Sequence, residues 1–479
     1  MQPGALFKLL LALVTIPAFV GVCLVTTVDQ RSYKTSDAYR KTISELAEEE
    51  AGFGVTRGSV AAGFGRVSLT PRLDGPTEDW RTGSFPNLSL AGFTRRRGAS
   101  AVGVHDPLWA KSIALRVGDE TVVFTALDML IVPTSVTELL TSRKLSETLS
   151  RSHLYLSATH THSGPGGWGE DWPSRLVAGP YREGFELWIA QQVERSILEA
   201  LEDLKPASIG EAWLEIPEQI RKGTAEIHAG FPILAFRQAE GMSAVLGSYA
   251  AHPVILSSRN LELSGDYPGA WQRRMEEAGF DLAMFMAGPM GAQSPVRAEG
   301  SFLEVESFGN RLAARVTDAI SDIRYRHETE LGALGVELTL PSPQVRFTDR
   351  WRIRPWIAKG LLPLKEQTYL QGVRIGRTIM ISTPADFAGE LALPLERRMR
   401  ESGWTAAVTG FNGDYIGYIL PTARDDRATY ETMSFFGPGM GQFAADIIGR
   451  MANILASPPE SFPSARDADR LHSRTGLSN

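Results

Sequence analysis

Five apolar, strand-like runs in this chain each end in a cluster of polar, chemistry-bearing residues. That repetition limits the folds open to it. LYLSAT ends at His160 and His162, and SAVLGSYAA ends at His252-Pro253. LAMFMA runs into GPMGAQSP, with Ser294, and RTIMIS runs into Thr383-Pro384-Ala385-Asp386. TAAVTG is followed by Asn412, Asp414, Tyr415 and Tyr418. In sheets with helical crossovers, ligands gather beyond the carboxyl ends of strands. Ordinary solvated loops are polar too, but more often through Lys, Glu or Ser than through His252, Asp386 or Tyr418. The pattern predicts an α/β protein, with mixed β-sheets layered with helices and an active site at the strand ends.

The richest of these ends is LYLSATHTHSGPGGWG, residues 154–169. In an extended strand residues i and i+2 share a face, so His160 and His162 project together beside a glycine-rich turn. Two imidazoles there can hold a metal or act as an acid/base pair; two exposed loop histidines is the plainer reading. Cys23 is the lone cysteine among 479 residues, which excludes an internal disulfide and a thiolate metal cluster. Any metal must use His, carboxylate or phenol oxygen. Zinc would be satisfied by two neutral imidazoles, a carboxylate and a fourth oxygen, and would polarise water or a carbonyl. Ser294 could be a nucleophile or a substrate-orienting hydroxyl, but its turn lacks the GxSxG pattern of a hydrolase elbow. The net charge of -6 supplies no basic field, so nucleic acid is excluded as a partner.

Residues 1–28 hold a charge-free apolar run long enough to cross a bilayer, read as an N-terminal transmembrane signal-anchor with the catalytic body extracytoplasmic. Residues 29–57 read as a helical stalk, with Ser36 as cap and Tyr39, Ile43 and Leu46 at helical spacing. The catalytic domain is expected over 58–455 and a disordered polar tail over 456–479. The Gly118-Asp119 turn marks a hairpin, and helices are expected over 134–150 and 183–204. No internal repeat is visible. Trp168 and Trp172 are candidates either for lining a lipid-tail groove or for ordinary packing.

SATHTHSGPGG, GVHDPLWAKSIAL, AAHPVILSSRNLELSGDYPGA and GAQSP together resemble the neutral/alkaline non-lysosomal ceramidases, over roughly Ser59 to Met451. The resemblance implies a zinc-dependent amidohydrolase that splits N-acylsphingosine, or a related lipid-like N-acyl amide, into fatty acid and amine. It implies zinc ligands at His160, His252, Asp386 and Tyr418. It implies His162 at the reacting carbonyl, Tyr430 against substrate, and Ser294 as the serine of the family's GDxSP turn. Asp386 stands where the family has glutamate, with Glu390 as the fallback carboxylate. Ala292 stands where the family has aspartate. A hydrolase of another amide or ester, and an inactive membrane-anchored binding protein, are the alternative readings.

Overall fold

The computed structural model describes residues 24–142, 145, 148–221, 226–291, 293–297, 300–422 and 435–457. Its strands begin with β1 Val25–Thr27, β2 Thr56–Ser68, β3 Gly103–Val104, β4 Trp109–Val117, β5 Glu120–Leu127 and β6 Leu154–Ala158. They continue with β7 Lys205–Glu215, β8 Gly230–Gln238, β9 Ser243–Tyr249, β10 Glu262–Leu263, β11 Leu282–Ala287 and β12 Glu328–Thr339. The last are β13 Trp351–Ile353, β14 Gln367–Ile375, β15 Thr378–Ser382, β16 Asp386–Phe387, β17 Thr405–Thr409 and β18 Tyr418–Ile419. The helices are α1 Asp37–Gly52, α2 Thr134–Ser142, α3 Trp172–Ala178, α4 Glu183–Glu202 and α5 Asp266–Glu277. They are followed by α6 Phe302–Ile320, α7 Pro355–Leu361, α8 Gly389–Glu401 and α9 Met440–Leu455.

The 13-residue β2 is the hub. It pairs antiparallel with β12 at Thr56–Ser59, with β4 at Val60–Ser68 and with β7 at Ala61 and Ala62. A wing of sheet runs outward from each partner. The first is β4–β5–β6, the second β7–β8–β9–β11 and the third β12–β14–β15–β17. Every wing proceeds through antiparallel pairs and ends in one parallel pair: β5/β6, β9/β11 and β15/β17. Parallel neighbours need a crossover, and each crossover carries a helix: α2, α5 and α8 respectively. The sequence shows no repeat, yet the structure uses one supersecondary plan three times. Nothing demands sequence identity between wings, because each packs against different helices.

The inner faces of the wings enclose one apolar core, with Phe64, Phe124, Phe236, Met284 and Met380 all buried. Outer cores lie under α2 and α4, under α5 and α6, and under α1, α8 and α9. The strands accordingly read as near-continuous apolar runs. Beyond β6, β11, β15 and β17 the carboxyl ends are stitched together. Ser157 Oγ donates to Gly410 O (2.9 Å), Gly410 N to Ala287 O (2.9 Å), and Ser382 Oγ to Leu156 O (3.3 Å). This stitching brings distant polar clusters to one point.

Most expected elements form where the sequence places them. The hairpin turns at Gly118 (φ 57°), and the long helix spans Glu183–Glu202. The helix expected over 134–150 is present over Thr134–Ser142, and 148–150 are not helical. The N-terminal readings need correction. Residues 1–23 of the expected membrane segment lie outside the described residues. Its last residues, Val25–Thr27, form a strand paired antiparallel with β13. No helix among the described residues is long and apolar enough to cross a membrane. The expected stalk does form a helix, and the Ser36 hydroxyl caps it by accepting from Tyr39 N (3.1 Å). It does not stand away from the body, because Ala38, Tyr39, Thr42 and Leu46 are buried against the third wing. The expected tail from residue 458 onward lies outside the described residues.

The hub strand tolerates α4 only because it is bare. A Cβ at Gly63 would stand 2.1 Å from Ala200 O, and one at Gly65 would stand 2.0 Å from Ser196 O. Gly65→Val is expected to cost about 3 kcal/mol through this overpacking, read as a lowered denaturation midpoint with the m-value unchanged.

Candidate metal centre

His160 follows β6 with φ 61°, one of the described non-glycine residues in the left-handed region. Such a conformation costs about 1–3 kcal/mol and persists only where the surroundings dictate it. Here the ring stacks flat on Phe411 (4.0 Å between centroids, 8° between planes), and Phe411 itself has φ 63°. The turn reverses the chain at once. Gly92 then lies against His162, where any Cβ would meet His162 Cα at 2.6 Å. Buried Arg96 fixes the segment from below, its guanidinium donating to His162 O (2.5 Å), Ala91 O (2.7 Å) and Asn260 O (3.0 Å). Burial lowers its pKa to about 10, still charged at neutral pH.

Three wings contribute to the centre. The Nε2 atoms of His160 and His252 are 3.0 Å apart, and His162 Nε2 is 3.3 Å from His160 Nε2. Asp386 Oδ1 lies 3.3 Å from His160 Nε2 and 3.6 Å from His252 Nε2. His160 and Asp386 are almost wholly buried, and His162 is half-buried. The outward nitrogens decide the chemistry. His160 Nδ1 is 2.6 Å from Leu130 O, and His252 Nδ1 is 3.2 Å from Met290 O. A carbonyl only accepts, so each Nδ1 carries the proton and each Nε2 turns a lone pair inward. Two lone pairs and a buried carboxylate oxygen without a hydrogen-bond donor then face one point. That arrangement requires a cation. A proton shared among them supplies part of the charge; a metal ion supplies all of it. His160, His162 and His252 thus could hold a metal.

Burial and the neighbouring His160 depress the basicity of His162 and His252, the latter to about 4. Burial alone would push Asp386 up, but His160, His252 and the Tyr415 hydroxyl outweigh it and hold the carboxyl below its usual value. Tyr415, named at its strand end but given no role from the sequence, supports the carboxylate. Its hydroxyl donates to Asp386 Oδ2 at 2.7 Å, leaving Oδ1 to face the histidines. Its place three residues before Tyr418 was the available signal. Tyr418 is half-buried and pairs with Asp386 in the two-residue parallel ladder β16/β18.

Among the other expected residues, Glu390 lies in the first turn of α8, and Asp386 is the carboxylate that faces the imidazoles. Ser294 is exposed and its carbonyl accepts from Arg221 N (2.9 Å); the adjacent Gln293 carbonyl receives His252 N (3.1 Å). Tyr430 and Ala292 lie outside the described residues. Asp128, just past β5, receives Trp109 N and Gln272 Nε2 at its carboxylate, while the Leu130 carbonyl orients His160. Trp168 is packed, with Nε1 donating to Pro165 O (3.0 Å), whereas Trp172 is 55% exposed.

Fold and cluster define a mixed α/β protein with a buried histidine–carboxylate centre at its strand ends. Residues 77–283 match the family model for neutral/alkaline non-lysosomal ceramidase, N-terminal, a span that includes all three histidines and stops before Asp386. Neutral ceramidase 1 of Arabidopsis thaliana is 28% identical over 219 residues, 41% of this chain and 28% of that protein. Neutral ceramidase of Oryza sativa subsp. japonica is 26% identical over 234 residues, 44% of this chain and 29% of that protein. The chain therefore spans less than a third of the curated relatives it matches. The crystal structure of neutral ceramidase from Pseudomonas aeruginosa shares the fold, with TM-score 0.68, 18% identity, and coverage of 84% of this chain and 76% of that one. A ceramidase complexed with C2 gives TM-score 0.68 at 17% identity, with the same coverage. Over residues 77–283 the chain is thus similar to the neutral/alkaline non-lysosomal ceramidases, and the HTH stretch lies within that span.

Two outcomes test this geometry. The metal-free chain should lose stability as pH falls from 6.5 towards 4. Over that window the unfolded chain binds a proton at His252 that the folded chain resists. Denaturation midpoints across pH check the sign. His160→Gly should unfold at higher denaturant than His160→Ala, by about 1 kcal/mol, because only glycine adopts the left-handed backbone freely.

Proposed function

We propose that this protein is a zinc-dependent amidohydrolase that cleaves the amide of N-acylsphingosine or of a closely related lipid-like N-acyl amide. The convergence of inward lone pairs and the Asp386 carboxylate on one point carries this reading. Tetrahedral ligands at the ~2.0–2.1 Å bonds typical of zinc stand about 3.3 Å apart. The three separations among His160, His252 and Asp386, 3.0, 3.3 and 3.6 Å, bracket that value. His160, His252 and Asp386 would hold the ion, with Tyr418 as the phenol oxygen. When bound, zinc would supply carbonyl polarisation and an acidified water.

The remaining chemistry belongs to the chain. Asp386 keeps its negative charge and is aimed by Tyr415. His162, neutral and half-exposed beside the two buried ligands, is the group positioned to hold or pass a proton at Nε2. The names of the related proteins support ceramide as the first substrate to try. Ser294 and Tyr430 remain the proposed substrate contacts.

His160→Ala and His252→Ala should lose stoichiometric zinc together with release of fatty acid from labelled ceramide. His162→Gln should keep zinc and lose about 10²–10⁴-fold in kcat. Tyr415→Phe should weaken zinc affinity about 10–100-fold, as loss of a ligand's supporting hydrogen bond does. Hydrolysis that survives both chelation and His160→Ala would sink the proposal. Zinc binding with ceramide inert but other amides or esters cleaved would move the substrate assignment.

A further inference from the structure

Large apolar side chains are exposed together on one face, formed by the 343–361 segment and what adheres to it. Phe347 is 52% exposed, Trp351 45%, Trp356 68% and Leu361 59%. Leu24 (44%) and Trp172 (55%) extend the same surface. Hydrogen bonds join these positions directly. Phe347 N donates to Trp351 O (3.3 Å), Arg354 N to Leu24 O (3.0 Å), and Trp172 Nε1 to Leu361 O (2.8 Å). Arg350, Arg352, Arg354 and Lys359 are interleaved with the apolar residues, against Asp349 and against Glu366, which pairs with Lys359 (2.7 Å).

We infer that this face docks on a lipid bilayer, the helix Pro355–Leu361 and Trp172 entering its interface and the arginines meeting anionic headgroups. Three observations select a bilayer over another protein. Exposed tryptophan and leucine among basic residues is the composition of an interfacial membrane contact. The charge-free run of residues 9–28 ends on this same face, since Val25–Thr27 is laddered to Trp351–Ile353. A relay of contacts also links the face to the candidate centre. Lys365, four residues past the helix, pairs with Asp414 and donates to Thr134 Oγ1 (2.8 Å), and Tyr415 follows Asp414. Docking would therefore be coupled through Lys365 to the loop that aims Asp386. Delivery of substrate along this route rests on the hydrolase reading; the docking itself does not.

The test uses the full chain with Cys23→Ser, labelled with an environment-sensitive fluorophore at Trp356→Cys, Leu361→Cys or, as control, Leu198→Cys, which lies exposed on α4. Vesicles of phosphatidylcholine and phosphatidylserine carry brominated acyl chains. Quenching at 356 and 361 but not at 198 is the expected result. Equal quenching at all three positions, or none at 356 and 361, overturns it. A fluorescence change that needs only higher protein concentration, without lipid, also overturns it and assigns the face to a second copy. Leu361→Asp should slow cleavage of ceramide presented in vesicles about tenfold, the effect of losing one buried apolar side chain. It should leave a short, water-soluble N-acyl amide unaffected. If no amide is cleaved at all, the quenching pattern still decides the docking.

Discussion

The structure depends on two backbone carbonyls more than on any side chain. Leu130 O and Met290 O take the Nδ1 protons of His160 and His252, and so force both Nε2 lone pairs into the same small space. Asp386 adds a negative charge there, and Tyr415 occupies its other oxygen. Buried acceptors without donors are expensive unless a cation joins them. The left-handed backbone of His160 and Phe411 and the stitched strand ends all serve to hold that unfavourable arrangement together. The three-winged sheet can be understood as its scaffold. Each wing ends in a parallel pair, and each brings at least one of the required groups to the common end.

How much of this was legible differs by level. The five polar strand ends could be read because the boundary between an apolar run and a cluster of His, Asp or Tyr is local. His160, His162, His252 and Asp386 were all found that way, and all four meet. The wings were not legible. Their organisation is set by β2, whose partners lie near residues 110, 206 and 329, and nothing in a strand's own composition states its register or partner. The role of Tyr415 was not legible for a related reason. It stood in the right cluster, but the resemblance drew the phenol role to Tyr418, and which tyrosine reaches Asp386 is settled only by the fold.

The N-terminal segment shows the opposite error. Residues 29–57 have the sequence of an amphipathic helix, and that part was right. Its amphipathicity was read as belonging to a spacer, although a helix with an apolar stripe needs something to cover it. The cover is the third wing together with α9, reached by Tyr39 Oη donating to Asp446 (2.5 Å) and by Thr339 N donating to Thr42 Oγ1 (3.0 Å).

That attachment bears on the order in which the molecule comes into being. Thr27 O receives Arg352 Nε across 325 residues, and Tyr39 meets Asp446 across 407. At a translation rate of ~5–20 residues per second, the partners of the first-made segment emerge roughly 15–80 s after it does. Residues 25–42 are therefore made well before the segments that cover them. β1 stays unpaired until β13 has been made, and α1 stays uncovered longer still, until α9 has.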